Sequence, residues 1–270
     1  MRAECAALRY GGRRLGLVPT MGALHEGHRS LLRAARSQCE VVAASIFVNP
    51  TQFGPHEDLA KYPRPFARDS ELLHAEGVDL LFAPSVEEMY PPGAVTYVNV
   101  EGLSDRLCGR SRPGHFRGVA TVVSKLFHVV QPEVAFFGQK DAAQVAVIRA
   151  MVRDLLLPVE IVACPIVRET DGLALSSRNV YLNAELQRQA LALSRSLRRI
   201  QDLYEEGERD AARLITAGVQ EFSRDDGPHL DFLEIVDADS LQPLVTAGPG
   251  ALVAVAAFLG GTRLIDNVVL

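Results

Sequence analysis

Residues Val41 to Val48 read VVAASIFV, a run of eight with one hydroxyl and no charge. A strand with one wet face alternates apolar and polar side chains, whereas a strand buried on both faces does not. This run therefore demands cover on both sides, as in a parallel sheet between two helical layers. The neighbouring segments supply that cover. Leu15 to Val18 is a short strand ending at Pro19, and a helical pattern starts near Gly27-His28 and continues through Leu31, Leu32 and Ala35. Arg68 to Glu76 reads as helix and Val78 to Phe82 as strand. Phe116 to Val130 is helical by period, Val134 to Phe137 is strand, Asp141 to Leu155 is helix and Val159 to Val167 is strand. Strand and helix alternating in this way predict right-handed crossovers and an α/β, Rossmann-like parallel sheet with helices on both faces.

Past Arg168 the alternation stops. Glu185 to Glu206 and Ala211 to Phe222 read as two helices, followed by three strand candidates with no long helix between them: Leu230 to Val236, Leu252 to Leu259 and Thr262 to Leu270. That order predicts a smaller α+β domain with an antiparallel sheet. The expected division is residues 1–168 for the Rossmann-like domain and 169–270 for a C-terminal α+β lid.

Composition excludes several classes. A net charge of −5 lacks the basic stripe of a nucleic-acid binder, and no apolar run reaches the roughly 20 residues that span a bilayer. The segment Met1 to Cys5 has no signal-peptide core and carries an acid early, so the expected location is cytoplasmic, with neither nucleic acid nor membrane as partner. Cys5, Cys39, Cys108 and Cys164 form no CxxC pair and read as buried small hydrophobes. Of 28 basic residues only Lys61, Lys125 and Lys140 are lysines, which singles out each of them.

Four strings carry chemistry. Pro19 to His28 (PTMGALHEGH) leaves the first strand and enters the first helix, where an open α/β sheet binds ligands. A helix N-terminus offers unpaired N–H groups and partial positive charge to a phosphate. His25 and His28, on either side of Gly27, lie three residues apart and can both reach one phosphate group. Phe47 to Gly54 (FVNPTQFG) follows the second strand and brings the neutral amides of Asn49 and Gln52, although Asn-Pro is equally an ordinary turn signal. Phe136 to Gln144 (FFGQKDAAQ) is another strand end opening a helix, with Gly138 for the turn, Asp141 as a possible cap and Lys140 as a flexible point charge. Leu175 to Asn179 (LSSRN) places two hydroxyls and a guanidinium on a segment suited to closing over a triphosphate, though SSR as a bare string is common. Neither GxGxxG after the first strand, nor GxxxxGK[ST], nor a nucleophile elbow, nor HExxH is present.

HxGH at a first strand-to-helix turn resembles the nucleotidylyltransferase superfamily. The four strings in this order, together with RPGHFRGV at 112–119 and RLIDN at 263–267, resemble the pantothenate synthetase (pantoate–β-alanine ligase) family over nearly the whole chain. The resemblance implies an ATP-dependent ligase that forms a pantoyl adenylate from pantoate, then passes the acyl group to β-alanine. It implies ATP contacts at Met21, Gly22, Ala23, Leu24, His25, Glu26, Gly27 and His28, at Gly138, Gln139, Lys140 and Asp141, and at Val167, Leu175, Ser176, Ser177 and Arg178. It implies pantoate or β-alanine contacts at Gln52, Gln144, Asn49 and Arg112. His28, His25 and Lys140 become the catalytic candidates, with His28 as proton donor. Mg²⁺ is expected on the triphosphate, with Asp69 a candidate carboxylate for it, and the protein is expected to be a homodimer. RLIDN reads as core and domain packing. The chain departs from the family pattern at Ala142 and Ala143, where larger residues are usual, and at Cys108, where glutamate is expected. Two alternatives differ in class. Another HxGH nucleotidylyltransferase would not need FVNPTQF or this second domain, and a non-catalytic nucleotide-binding module would be expected to lose His28 or Lys140.

Overall fold

The structure is a computed structural model and describes residues 1–55, 57–222 and 227–270. Five parallel strands, β1 (Leu15–Thr20), β2 (Val41–Ile46), β3 (Leu80–Phe82), β4 (Val134–Gly138) and β5 (Glu160–Cys164), lie in the order β3-β2-β1-β4-β5. The helices are α1 (Arg2–Arg9), α2 (Glu26–Gln38), α3 (Phe66–Ala75), α4 (Val86–Met89), α5 (Cys108–Ser111), α6 (His115–Val130), α7 (Ala142–Asp154), α8 (Ala184–Glu205) and α9 (Ala211–Val219). A three-stranded antiparallel sheet follows, β6 (His229–Val236), β7 (Leu252–Leu259) and β8 (Thr262–Val269). This is the expected fold class.

The apolar run in β2 divides as the pleat requires. Val41 and Ala43, with Leu15, Leu17, Ala135 and Phe137, face a core filled by α6 and α7. Val42 and Ala44, with Val18, Val134 and Phe136, face Leu31, Leu32 and Ala35 of α2 and Leu73 of α3. Chain order reverses at β1, which pairs with β2 on one side and β4 on the other. The carboxyl ends of β1 and β4 therefore open side by side, where such sheets bind ligands.

Several predicted bounds shift for identifiable reasons. The strand expected over Val159 to Val167 stops at Cys164, because Pro165 has no N–H for the ladder. The strand expected to Val48 ends at Ile46, and Asn49 then caps a short 3₁₀ turn over Pro50–Gln52. Helix α2 begins one residue before Gly27, with His25 as its N-cap. The predicted elements omit α1, whose only buried residue is Cys5, so no apolar periodicity announces it. All four cysteines are free and buried.

The antiparallel sheet is covered on both faces as well. Val253, Val255, Ala257 and Leu259 pack with α8 and α9. Leu252, Ala254 and Ala256 join the core that contains α6 and α7. Polar ties reinforce this contact. Arg168 grips buried Asp266 through both carboxylate oxygens (2.6 and 2.9 Å), and Asn267 Nδ2 donates to the carbonyls of Gln139 (2.9 Å) and Lys140 (3.0 Å). RLIDN thus serves packing between the two sheets, as read from its sequence.

Candidate active site

The carboxyl ends of β1, β2 and β4 and the segment 165–178 enclose a cavity of about 230 Å³. It is lined by Met21, His25, Gly27 and His28 from the first string, Asn49 and Gln52 from the second, Gly138, Lys140, Asp141 and Gln144 from the third, and Val167 and Leu175 to Arg178 from the fourth. Arg112 lines it too. Four segments remote in sequence therefore meet in one place.

Gly22, Ala23, Leu24, Glu26 and Gln139 do not line it. Leu24 is 2% exposed and belongs to the α2 core. Glu26 turns outward to Arg29 and Arg33. Gln139 Nε2 donates to Asn267 Oδ1 at 3.2 Å. Gly22 and Ala23 form a turn with positive φ (82° and 52°), held from below by Asp69. The Asp69 carboxylate is 1% exposed and accepts from the backbone N–H of Ala23 (2.7 Å) and Leu24 (2.9 Å). Asp69 does not line the cavity, so it supports the loop from behind rather than facing a metal on the triphosphate.

The two histidines cap their own helix. Gly27 N–H donates to His25 Nδ1 (3.1 Å), and His25 N–H donates to His28 Nδ1 (3.3 Å). With Nδ1 accepting in each ring, the proton of the neutral imidazole sits on Nε2. Burial, then the nearby Lys140 charge, holds His25 down at about 4. Burial, then His25 and Lys140, holds His28 at about 3. Both rings are therefore neutral at pH 7, and each keeps an Nε2–H donor. His115, pushed down to about 4 by burial and then Arg112, completes a set of three depressed imidazoles at the cavity.

These shifts fix a sign. An unfolded chain takes up protons near pH 6.5 that the folded imidazoles refuse, so stability present above that value is lost as pH falls toward 4. The denaturant midpoint is expected to be lower at about pH 5 than at about pH 7. The drop should shrink in His28→Asn, whose amide oxygen still accepts from His25. Equal midpoints at the two pH values would show that the imidazoles protonate freely in the fold.

The cations of the cavity differ in their engagement. Arg112 donates from Nε to Glu57 Oε1 (2.8 Å), from Nη2 to Glu57 Oε2 and to the Gln52 carbonyl (3.2 Å), and its Nη1 lies 3.0 Å from His115 Nε2. Arg178 pairs with Asp58 through two hydrogen bonds. The Lys140 ammonium has no hydrogen-bond or ion-pair partner among the described residues. The amides differ likewise. Asn49 Nδ2 donates to Gln52 Oε1 (3.0 Å) and Gly118 O (3.1 Å), and its Oδ1 accepts from Thr51 and Tyr90. It is 1% exposed and fully bonded, so it holds Gln52 and has nothing left for a ligand. Gln52 in turn reaches Met21 Sδ at 3.1 Å. Among the lining residues that the sequence did not single out are His115, inside RPGHFRGV, and Tyr62, whose hydroxyl lies 3.2 Å from Ser177 Oγ.

Residues 1–269 match the family model described as pantoate-β-alanine ligase. The chain is 60% identical to pantothenate synthetase of Koribacter versatilis (strain Ellin345), over 100% of this chain and 93% of that protein. It is 57% identical to pantothenate synthetase of Thermotoga petrophila, over 100% and 96%. Among solved structures, pantothenate synthetase from Thermus thermophilus superposes with a TM-score of 0.93 at 49% identity, covering 98% of this chain and 96% of that one. The pantoate-β-alanine ligase from Francisella tularensis, complexed with β-γ ATP and β-alanine, gives a TM-score of 0.75 at 32% identity, covering 99% and 95%.

Proposed function

The chain belongs to the pantoate–β-alanine ligase family, and from that premise we propose how its cavity condenses (R)-pantoate with β-alanine. ATP is consumed, and pantothenate, AMP and pyrophosphate leave. The carrying observation is an ammonium, Lys140, without a partner among the described residues, beside two neutral imidazoles at a helix N-terminus, in a cavity that also holds the amides of Gln52 and Gln144.

In the first step a pantoate carboxylate oxygen bonds to the α-phosphorus and the bond to the pyrophosphate oxygen breaks. A carboxylate is already ionised at pH 7, so no base is required. The demand is for preorganised positive charge and donors on the phosphates. Lys140, the Nε2–H groups of His25 and His28 and the first turn of α2 meet it, with Ser176, Ser177 and Arg178 on the outer phosphates. Since His28 is neutral, it acts here as a hydrogen-bond donor rather than as an acid that gives up its proton. Gln52 and Gln144 hold the acid, each able to donate and accept toward carboxylate and hydroxyl. In the second step the β-alanine nitrogen bonds to the acyl carbon, AMP leaves, and the amine proton passes to solvent.

Mg²⁺ fits as a companion of the triphosphate rather than as a resident of the protein. Among the described residues no group of three or more His, Cys, Asp or Glu side chains is placed to hold a metal. Asp141 is the acid on the cavity wall available to meet the ion, which would neutralise phosphate charge. The same reading carries a homodimer, a cytoplasmic location and a division of the chain near residue 168. Supporting the division, the parallel sheet ends at Cys164, and Arg168 beyond it binds Asp266 of the antiparallel sheet; among the described residues no helix is long and apolar enough to cross a membrane.

With pantoate alone, labelled pyrophosphate is expected to exchange into ATP, and β-alanine should be needed only for AMP release. Exchange that depends strictly on β-alanine would rule out a free acyl adenylate.

A further inference from the structure

At the cavity wall formed by Tyr62, Ser177 and Arg178, the segments 58–62 and 177–181 clasp each other. Tyr62 Oη lies 3.2 Å from Ser177 Oγ, and Tyr181 Oη donates to the Lys61 carbonyl (3.1 Å). Between these two contacts Asp58 Oδ2 accepts from Arg178 Nε and Asp58 Oδ1 from Arg178 Nη2, both at 2.9 Å. The two side chains are about one quarter exposed, at 25% and 23%, so the pair is only partly screened by water.

A guanidinium carries five N–H donors arranged along two usable edges. Asp58 takes the edge formed by Nε and Nη2. The edge formed by Nη1 and the second Nη2–H has no partner among the described residues, and Arg178 lies on the cavity wall. A carboxylate that competed with a phosphate for this arginine would cover that terminal edge. Asp58 instead occupies the side edge, fixing the plane of the group and leaving a complete fork for an anion. We infer that Asp58 is a positioning residue: it sets Arg178 on the cavity wall with its terminal fork open to a triphosphate. The inference rests on the nucleotide-binding reading above and deepens it. Nothing in the sequence connects the two residues, which lie 120 positions apart.

The test is titration of a non-hydrolysable ATP analogue into the full chain, followed by calorimetry. Asp58→Asn keeps the size and loses the charge and one acceptor. It is expected to weaken analogue binding by roughly tenfold, the scale of a charge-assisted hydrogen bond reduced for partial exposure. Asp58→Glu, which keeps the carboxylate, should recover most of that affinity. In an Arg178→Ala background Asp58→Asn should cost nothing further, because its effect passes through the arginine. The pantoate KM should stay at its parent value in every Asp58 variant. An equal loss in both backgrounds, an unchanged affinity or a tighter one would each overturn the assignment. A parent protein that binds no analogue at all would instead remove the nucleotide reading, and this inference with it.

Discussion

Lys140→Ala is expected to slow adenylate formation by roughly 10²–10³, the usual scale for losing one preorganised electrostatic stabiliser. Among the described residues, three cationic side chains line the cavity, Lys140, Arg112 and Arg178. Arg112 is neutralised by Glu57 and Arg178 by Asp58. Lys140 stands without a carboxylate partner among the described residues, and its charge helps to keep His25 and His28 unprotonated. An unpaired ammonium beside two neutral rings is a site missing one anion, and charge moving toward pyrophosphate in the transition state supplies it. Lys140→Arg should restore only part of the rate, since a planar fork does not follow a moving phosphate as a point charge does. The thermal midpoint should barely move, because the ammonium makes no bond that the fold needs. Single-turnover formation of pantoyl adenylate is the measurement. A rate in the Ala variant within about threefold of the parent would make Lys140 a bystander.

Gly118→Ala is expected to destabilise the protein by about 1–3 kcal/mol, the cost of overpacking a close-packed contact, and to raise the pantoate KM with little change in that for ATP. Helix propensity alone argues the opposite, since alanine inside a helix is favoured over glycine by about 1 kcal/mol. Packing decides. A Cβ at Gly118 would lie 2.4 Å from the Thr51 carbonyl oxygen and 2.7 Å from the Gln52 nitrogen. Those atoms are backbone and cannot rotate aside. The turn that presents Gln52 must shift, and the hydrogen bond from Asn49 to the Gly118 carbonyl shifts with it. Denaturant unfolding and substrate-resolved kinetics read both effects. A variant at least as stable as the parent would show that the turn yields without cost.

The sequence by itself determined the layered parallel sheet, the antiparallel unit after it and the clustering of the chemical strings at strand ends. These are local properties: an unbroken apolar run, a helical period, a turn residue at a fixed offset. The pleat of β2 then had to send Val41 and Ala43 to one core and Val42 and Ala44 to the other. Tertiary structure alone decided which polar groups remained free to do chemistry. Asn49 and Arg112 are ligand contacts by the resemblance and Asp69 a metal candidate, yet Asp69 holds backbone N–H groups 45 and 46 positions away, and Arg112 is engaged by Glu57, His115 and the Gln52 carbonyl, 55, 3 and 60 positions away. Asn49 is bonded to its own turn and across to Gly118, 69 positions on. Lys140 is left open by the same folding. Hydrogen-bond saturation depends on partners brought together by the closed chain, and spacing along one strand or helix carries no record of them.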